Sequence, residues 1–252
     1  SSIDMSSNAN TDSYNSNNGA YNTSTNISSN GSVGTEGLLT LYSNTVIHGN
    51  TSAARYQLNG TAQITGTQGA APNVTLPAID FSGPQTSNNN GTGWTITGGT
   101  MAYNSSTKAL TGRGTITFNQ GGTYYFSSVN ISANSNLVVS SSVTSPVKIY
   151  VLNDYTTSSN FAMNNQTQKP SNLQFLVGGD MTIDSNSTFY GTMYAPNGDI
   201  TFTSNTTLYG SVISGGLLQI NSNQGLHYDV SLATDPALGG SSTPSVVMWE
   251  RE

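Results

Sequence analysis

Two aspartates occupy the same place in successive repeats. The segment beginning at Gly179 reads GDMTIDSNSTFYGTMYAPN and the one beginning at Gly198 reads GDITFTSNTTLYGSVISG, so Asp180 recurs as Asp199 after 19 residues. If the repeats stack as parallel strands, equivalent residues lie ~4.8 Å apart. Two carboxylates at that spacing, with Asp184 nearby, could bind Ca²⁺ or act as the acid/base pair of a polysaccharide hydrolase. A competing role is structural: both follow glycine, and aspartate fixes turns by bonding to nearby backbone. An unrelieved pair would repel unless one carboxylate is protonated or a cation sits between them. The nearest basic residue in sequence is Lys169, so the cationic partners that such lyases need are missing nearby. The turn role outweighs the cation, and catalysis comes last. No catalytic residue is assigned, the metal candidates are limited to Asp180 and Asp199, and the only cofactor they would suit is a structural Ca²⁺.

The two histidines, His48 and His227, fall at equivalent positions of similar segments, GLLTLYSNTVIHG from Gly37 and GLLQINSNQGLHY from Gly216. Their separation along the chain argues against a shared metal and for packing roles. Tyr14, Tyr21, Tyr124, Tyr125, Tyr190, Tyr209 and Trp94, taken as exposed, could form a strip on which sugars stack. Tyr190 and Tyr209 are one repeat apart and fall in register, so they are the ligand-facing candidates, although such ladders also serve purely structural ends. Sequons at Asn22, Asn50, Asn59, Asn130, Asn186 and Asn205 matter only if the host glycosylates them. No G-x-S-x-G, H-E-x-x-H or phosphate-loop motif occurs.

The elements that must position these residues follow from the repeat. Asn186 recurs as Asn205, Tyr190 as Tyr209 and Gly191 as Gly210, and a third copy begins at Gly216 after 18 residues. Ile183, Phe202 and Ile220 share one column; Phe189, Leu208 and Leu226 share another. Within a copy, apolar residues alternate as in Met181-x-Ile183, the period of a strand with one buried face. Ser-Asn and Pro-Asn-Gly separate these runs with residues that tolerate the left-handed conformation. Residue identity at a constant step is what a stack of parallel strands requires. Further strand-like runs are Gly114–Phe118, Thr123–Phe126, Val129–Ile131, Leu137–Val139, Val147–Val151 and Leu173–Val177.

Composition agrees with a polar all-β fold. Charged residues make up 7% of the 252, against about 25% in ordinary soluble domains. Disordered chains combine low hydrophobicity with high net charge and few aromatics. Here the net charge is −6 and there are 13 Tyr, 7 Phe and 2 Trp. Six basic residues cannot build a stripe for nucleic acid, and no apolar stretch approaches a membrane span. No signal peptide is present, so export would require that a targeting segment has already been removed. Absence of cysteine excludes disulfides and thiolate sites.

The stretches SPVKIYVLND, KPSNLQFLVGGD, STFYGTMYAPNGDITFTSNTTLYGSVISG and GLHYDVSLA resemble a bacterial domain of pilus-assembly-type and polymer-forming surface proteins. In that family the domain often follows a type IV pilin-like N-terminal segment. The early DSYNSNNGAY and closing MWERE fit the same pattern, and Gly191–Asn197 is its most specific element. The pilin-like helix is absent here and the polar content is unusually high. The resemblance implies export, surface display and incorporation into a pilus or fibre, and it supplies no catalytic residues.

The expected fold is therefore all-β, a single-stranded parallel β-helix, right-handed because parallel crossovers are, with about 19 residues per coil in the C-terminal half. Residues 1–30 are expected as an arm or cap, 31–230 as the solenoid with an excursion at 66–93, and 231–252 as a linker and a capping or pairing strand. Val246, Val247, Met248 and Trp249 are the candidates for assembly or capping. The expected function is non-enzymatic: an extracellular or cell-surface structural subunit of a filament or pilus-associated assembly. It would self-associate head to tail or bind other surface subunits. A surface adhesin or carbohydrate-binding module is the alternative, and a polysaccharide-active enzyme ranks below both.

Overall fold

The computed structural model describes residues 2–71, 73–203, 205–221 and 223–234, and the backbone of Met248 and Trp249. The chain is all-β, with large parallel sheets and short helical turns only. A 10-stranded sheet runs in the order Ala102–Tyr103, Leu110–Gly112, Val129–Ile131, Tyr155–Thr157, Met181–Ile183, Ile200–Phe202, Leu217–Ile220, Ser2–Met5, Leu38–Leu41, Arg55–Leu58. A 13-stranded sheet runs beside it from Gly122–Phe126 through Thr188–Ala195, Thr207–Ser214 and Gly225–Asp229 to Asn10–Tyr14. A 4-stranded sheet joins Trp94–Thr97, Thr115–Phe118, Asn136–Val139 and Ala162–Asn165. Pairing is parallel except at Trp94–Thr97 and Ala102–Tyr103, which run antiparallel to their neighbours.

Register keeps apolar residues in columns. Ile183, Phe202, Ile220, Met5, Leu41 and Leu58 are successive Cα partners, and so are Met181, Ile200, Leu218, Ile3, Leu39 and Tyr56. The inward residues of the three sheets form one apolar cluster. Stacking of like on like buries each branched or aromatic side chain against its own kind, so a chain of modest hydrophobicity still builds a dense interior.

The order of strands differs from the order of the chain. Ser2–Met5 lies between Leu217–Ile220 and Leu38–Leu41, and Asn10–Tyr14 lies between Gly225–Asp229 and Val46–Ile47. Residues 2–14 are thus interior strands and not the arm or cap expected of them. Their alternation is brief and polar, as in SIDM, and their burial comes from strands more than 200 residues away. From this middle position the chain proceeds to one end of the sheets at Arg55–Leu58, Gln63–Ile64 and Gln68–Gly69. It then crosses back to the other end through residues 70–93, which hold one short helix, Ser82–Thr86.

That crossing lies along the sheets. The Val74 N–H donates to Glu36 (2.8 Å), the Tyr194 hydroxyl donates to the Pro77 carbonyl, and Phe81 meets the Tyr150 ring edge-on. The tail strand Met248–Trp249 pairs with Val212 and Ile213 on one side, and Met248 pairs with Val33 on the other. It fills the gap left where Gly225–Asp229 covers only the first part of the eight-residue strand Thr207–Ser214. Val246 and Val247 lie outside the described residues.

If this register is right, Leu41→Ala should cost about 2–5 kcal/mol, because its column neighbours leave the cavity unfilled. Leu152→Ala, at a side chain 40% exposed, should stay within about 0.5 kcal/mol. Urea unfolding monitored by circular dichroism checks both; equal costs would overturn the register.

Candidate functional site

The repeat places a polar column on the outward face of the 13-stranded sheet. Tyr190, Tyr209, His227 and Asp12 are successive register partners there. Each tyrosine precedes a glycine, and the pair Gly191 and Gly210 is obligatory: Gly210 has φ +144°, and a Cβ on it would collide with the Gly191 carbonyl. The close backbone approach brings the rings together. Tyr190 and Tyr209 stack at 4.6 Å with 14° between planes, and Tyr209 and His227 at 4.7 Å with 23°.

Residues 15–32 cover this column. Asn26 organises the covering segment: its amide donates to the carbonyls of Asn15, Gly19 and Ala20, and its Oδ1 accepts from the Asn15 N–H (3.1 Å). The segment thereby lays Tyr21 over His227, at 4.1 Å between ring centroids. The Tyr21 hydroxyl donates to Asp12 Oδ2 (2.7 Å), while Asp12 Oδ1 meets His227 Nδ1 at 2.5 Å. Both carboxylate oxygens of Asp12 are thus engaged. Tyr14 packs edge-on against Tyr21 and Tyr209. Asp229, fully buried, accepts from the Ser16 N–H, the Ser231 N–H and the Ser231 hydroxyl, anchoring the root of the cover.

Burial raises the phenol pKa values in this cluster. Burial pushes the Tyr209 hydroxyl up to about 12, with Tyr190 and the Asp12 charge adding to it. Tyr21 is raised by burial, then by its hydrogen bond to Asp12; Tyr14 is raised by burial, then by the Asp229 charge. The cluster therefore holds neutral phenols around a carboxylate–imidazole pair. Asp12 is 6% and His227 8% exposed, which leaves no opening for a substrate at the reactive atoms. Beside Tyr14, a shallow depression of about 250 Å³ is lined by Asn15, Asn26 and Val230 among others.

Several sequence expectations change here. Tyr14, Tyr124 and Tyr125 are buried, at 1%, 0% and 2% exposure, and do not form an exposed strip. The Tyr124 hydroxyl donates to the carbonyls of Gly93 and Gln120 beneath the crossing segment. Trp94 donates from Nε1 to the Asn90 carbonyl. His48 and His227 are not far apart: the His48 N–H donates to the Thr11 carbonyl, on the strand that pairs with that of His227. Their long separation in sequence misled because Asn10–Tyr14 is seated between their strands.

Asp180 and Asp199 belong to a different feature. The Asp180 N–H donates to Asp154 Oδ1 (3.0 Å), the Asp199 N–H to Asp180 Oδ1 (2.9 Å) and the Leu217 N–H to Asp199 Oδ1 (2.7 Å). Each carboxylate locks the turn of the next strand. Asp154, the first of the series, was missed; its signal is Leu-Asn-Asp at 152–154 preceding a strand as Gly-Gly-Asp does at 178–180. An asparagine ladder repeats the device. Asn44 donates to Asn8, Asn8 to Asn223 and Asn223 to Asn205, and the first three have φ near +60°, conformations asparagine tolerates. Among the described residues no group of three or more His, Cys, Asp or Glu could hold a metal ion, and no helix is long and apolar enough to cross a membrane.

Two measurements test the cluster. Asp12→Ala leaves the Tyr21 hydroxyl and His227 Nδ1 without their acceptor and should lower unfolding free energy by about 1–3 kcal/mol; no change in a urea titration would remove Asp12 from this role. The raised phenol pKa values favour the folded state fully below the unfolded value of about 10, and that contribution is lost as pH rises toward 12. Tyrosinate absorbance should therefore lag free tyrosine and appear together with loss of the far-ultraviolet signal. Ionisation of all tyrosines near pH 10 with the fold intact would contradict it.

Residues 127–235 match a family described as a domain of unknown function, DUF7305. The matched span begins just before the strand Val129–Ile131 and includes Tyr190, Tyr209, His227 and the aspartate ladder, but not Asp12. Neither curated proteins nor solved structures gave a match.

Proposed function

We propose that the three sheets are the faces of one right-handed parallel β-helix, and that this β-helix is a rigid, non-enzymatic module of an extracellular or cell-surface assembly. One observation carries the proposal: side chains able to do chemistry are instead joined strand to strand. Asp154, Asp180 and Asp199 each accept a backbone N–H from the following turn, and Asp12 is shared between His227 and Tyr21. A hydrolase needs one carboxylate free to donate a proton and another free to attack or activate water. The stacked carboxylates are committed to turns. The right-handed sense follows from the rule for parallel crossovers.

A sugar-stacking surface draws less support. Tyr209 has Tyr190 against one face and His227 against the other, so neither face is open to a pyranose ring. Surface location is favoured by scarce charge and abundant Ser, Thr and Asn, and by the resemblance to pilus-assembly-type and polymer-forming domains. The proposal extends that resemblance to a role as a building block of a filament or pilus-associated structure.

Immunogold microscopy of the source cells with antibody to the purified chain tests this role. Labelling on surface appendages or in the sheared surface fraction is the expected result. Label confined to the cell interior would overturn it. So would release of oligosaccharide from a polymer panel that disappears in Asp180→Asn.

A further inference from the structure

The two ends of the sheets are built differently. At one end the chain finishes its own edges. Trp94–Thr97 pairs antiparallel with Thr115–Phe118, and Ala102–Tyr103 with Leu110–Gly112. Along Gly122–Phe126, asparagines take the place of a strand. The Thr123 N–H donates to Asn89 Oδ1 (3.0 Å), the Asn89 N–H to the Thr123 carbonyl (2.7 Å) and the Tyr125 N–H to Asn90 Oδ1 (3.0 Å).

At the other end, Arg55–Leu58, Gln63–Ile64 and Gln68–Gly69 are terminal strands, with no outer neighbour among the described residues. The apolar columns are cut across there. Leu58 continues the column of Ile220, Met5 and Leu41, each 0% exposed, yet is itself 41% exposed. Tyr56 continues the column of Leu218, Ile3 and Leu39, and Ile64 that of Leu226, Thr11 and Ile47; both are only partly buried. Arg55 is the only charged residue between Thr51 and Ala71, and no proline interrupts that stretch. Natural edge strands are usually guarded by several charges, proline or a covering segment.

We propose that this end is an interface between two copies of the chain, joined end to end about a two-fold axis. The occupant follows from the shape of the surface. A single extended peptide could pair with one edge, but two of the three edges are only two residues long and offer it little. What they require together is a partner with three short edges around one apolar centre, and this end of a second copy has that form. The closed end does not, because its edges are already paired. The joint is therefore isologous and closes at two copies, without propagating head to tail. In the antiparallel pairing of Arg55–Leu58 with its counterpart, Tyr56 and Leu58 meet the same inward residues of the partner, and Gln57 faces solvent near the axis.

The inference rests on reading the sheets as one continuous stack, and one experiment separates the two. For the full chain, light scattering should give twice the 26.3 kDa chain mass. Small-angle X-ray scattering should give a rod about 90 Å long, since ten strands at ~4.8 Å span roughly 45 Å per copy. Leu58→Asp with Ile64→Asp should give a single-chain mass and an unchanged circular dichroism spectrum. Should that variant fail to fold, outward Gln57→Cys in this cysteine-free chain should crosslink to dimer with a short bis-maleimide, and Ser106→Cys at the closed end should not. A single-chain rod of about 45 Å at high concentration removes the dimer and leaves the stack standing. Mass that grows without limit, or crosslinking through Ser106→Cys, overturns the two-copy joint in favour of head-to-tail growth. A compact globular scattering profile removes the stack itself.

Discussion

The structure depends on one joint: the strand Ser2–Met5 lying in parallel register against Leu217–Ile220, beside Asn10–Tyr14 against Gly225–Asp229. Every other neighbour along the sheets comes from segments close in sequence. Here the residues are more than 200 apart, and the joint needs its own fastenings. Asp12 with His227 supplies one, Asn8 with Asn223 another, and the tail strand Met248–Trp249 a third, pairing Val212 with Val33 across the same boundary. The apolar columns cross it unbroken, since Ile3 and Met5 are fully buried between Leu218 and Leu39 and between Ile220 and Leu41.

Low charge content follows from how the turns are held. Ordinary soluble domains surround their loops with water and charged side chains. Here the turns are bonded to one another by short amide and carboxylate side chains whose reach matches the interstrand spacing. The Asp154–Asp180–Asp199 and Asn44–Asn8–Asn223–Asn205 series are two such lines. Lysine and glutamate, with long flexible stems, would lose more entropy in so regular a setting. Ser, Thr and Asn replace them because they order at little cost.

Much of the all-β character was legible in the residues. The runs Val129–Ile131, Val147–Val151 and Leu173–Val177 are strands with those same bounds, and Tyr190 is the register partner of Tyr209 as their spacing implied. Periodicity identifies which residues share a column because side-chain alternation is local. It does not reveal the order in which repeats are stacked, since any apolar-x-apolar strand can pair with any other. The interior place of residues 2–14 was therefore hidden, and with it the partnership of Asp12 and His227. One hint was present. GLLTLYSNTVIHG and GLLQINSNQGLHY look alike because their strands flank Ser2–Met5 on its two sides and meet the same surroundings. The cover carrying Tyr21 had no periodic signal at all, being fixed by Asn26 alone among its hydrogen-bonding hubs.

The segment 70–93 has a consequence for how the chain acquires this shape. Strands from Val129 to Asp229 join neighbours only 18 to 26 residues away, so they can accrete one after another with small loop-closure cost. Contacts of such low sequence separation form early. The joint at Ser2–Met5 must wait until both halves exist, and it is the slow, late event of folding. The crossing segment keeps the two halves tethered meanwhile, through Val74 on Glu36 at one side and Asn89 on Thr123 at the other. Closure is thereby an encounter within one molecule, at an effective concentration set by the length of that tether and not by how many other chains are present.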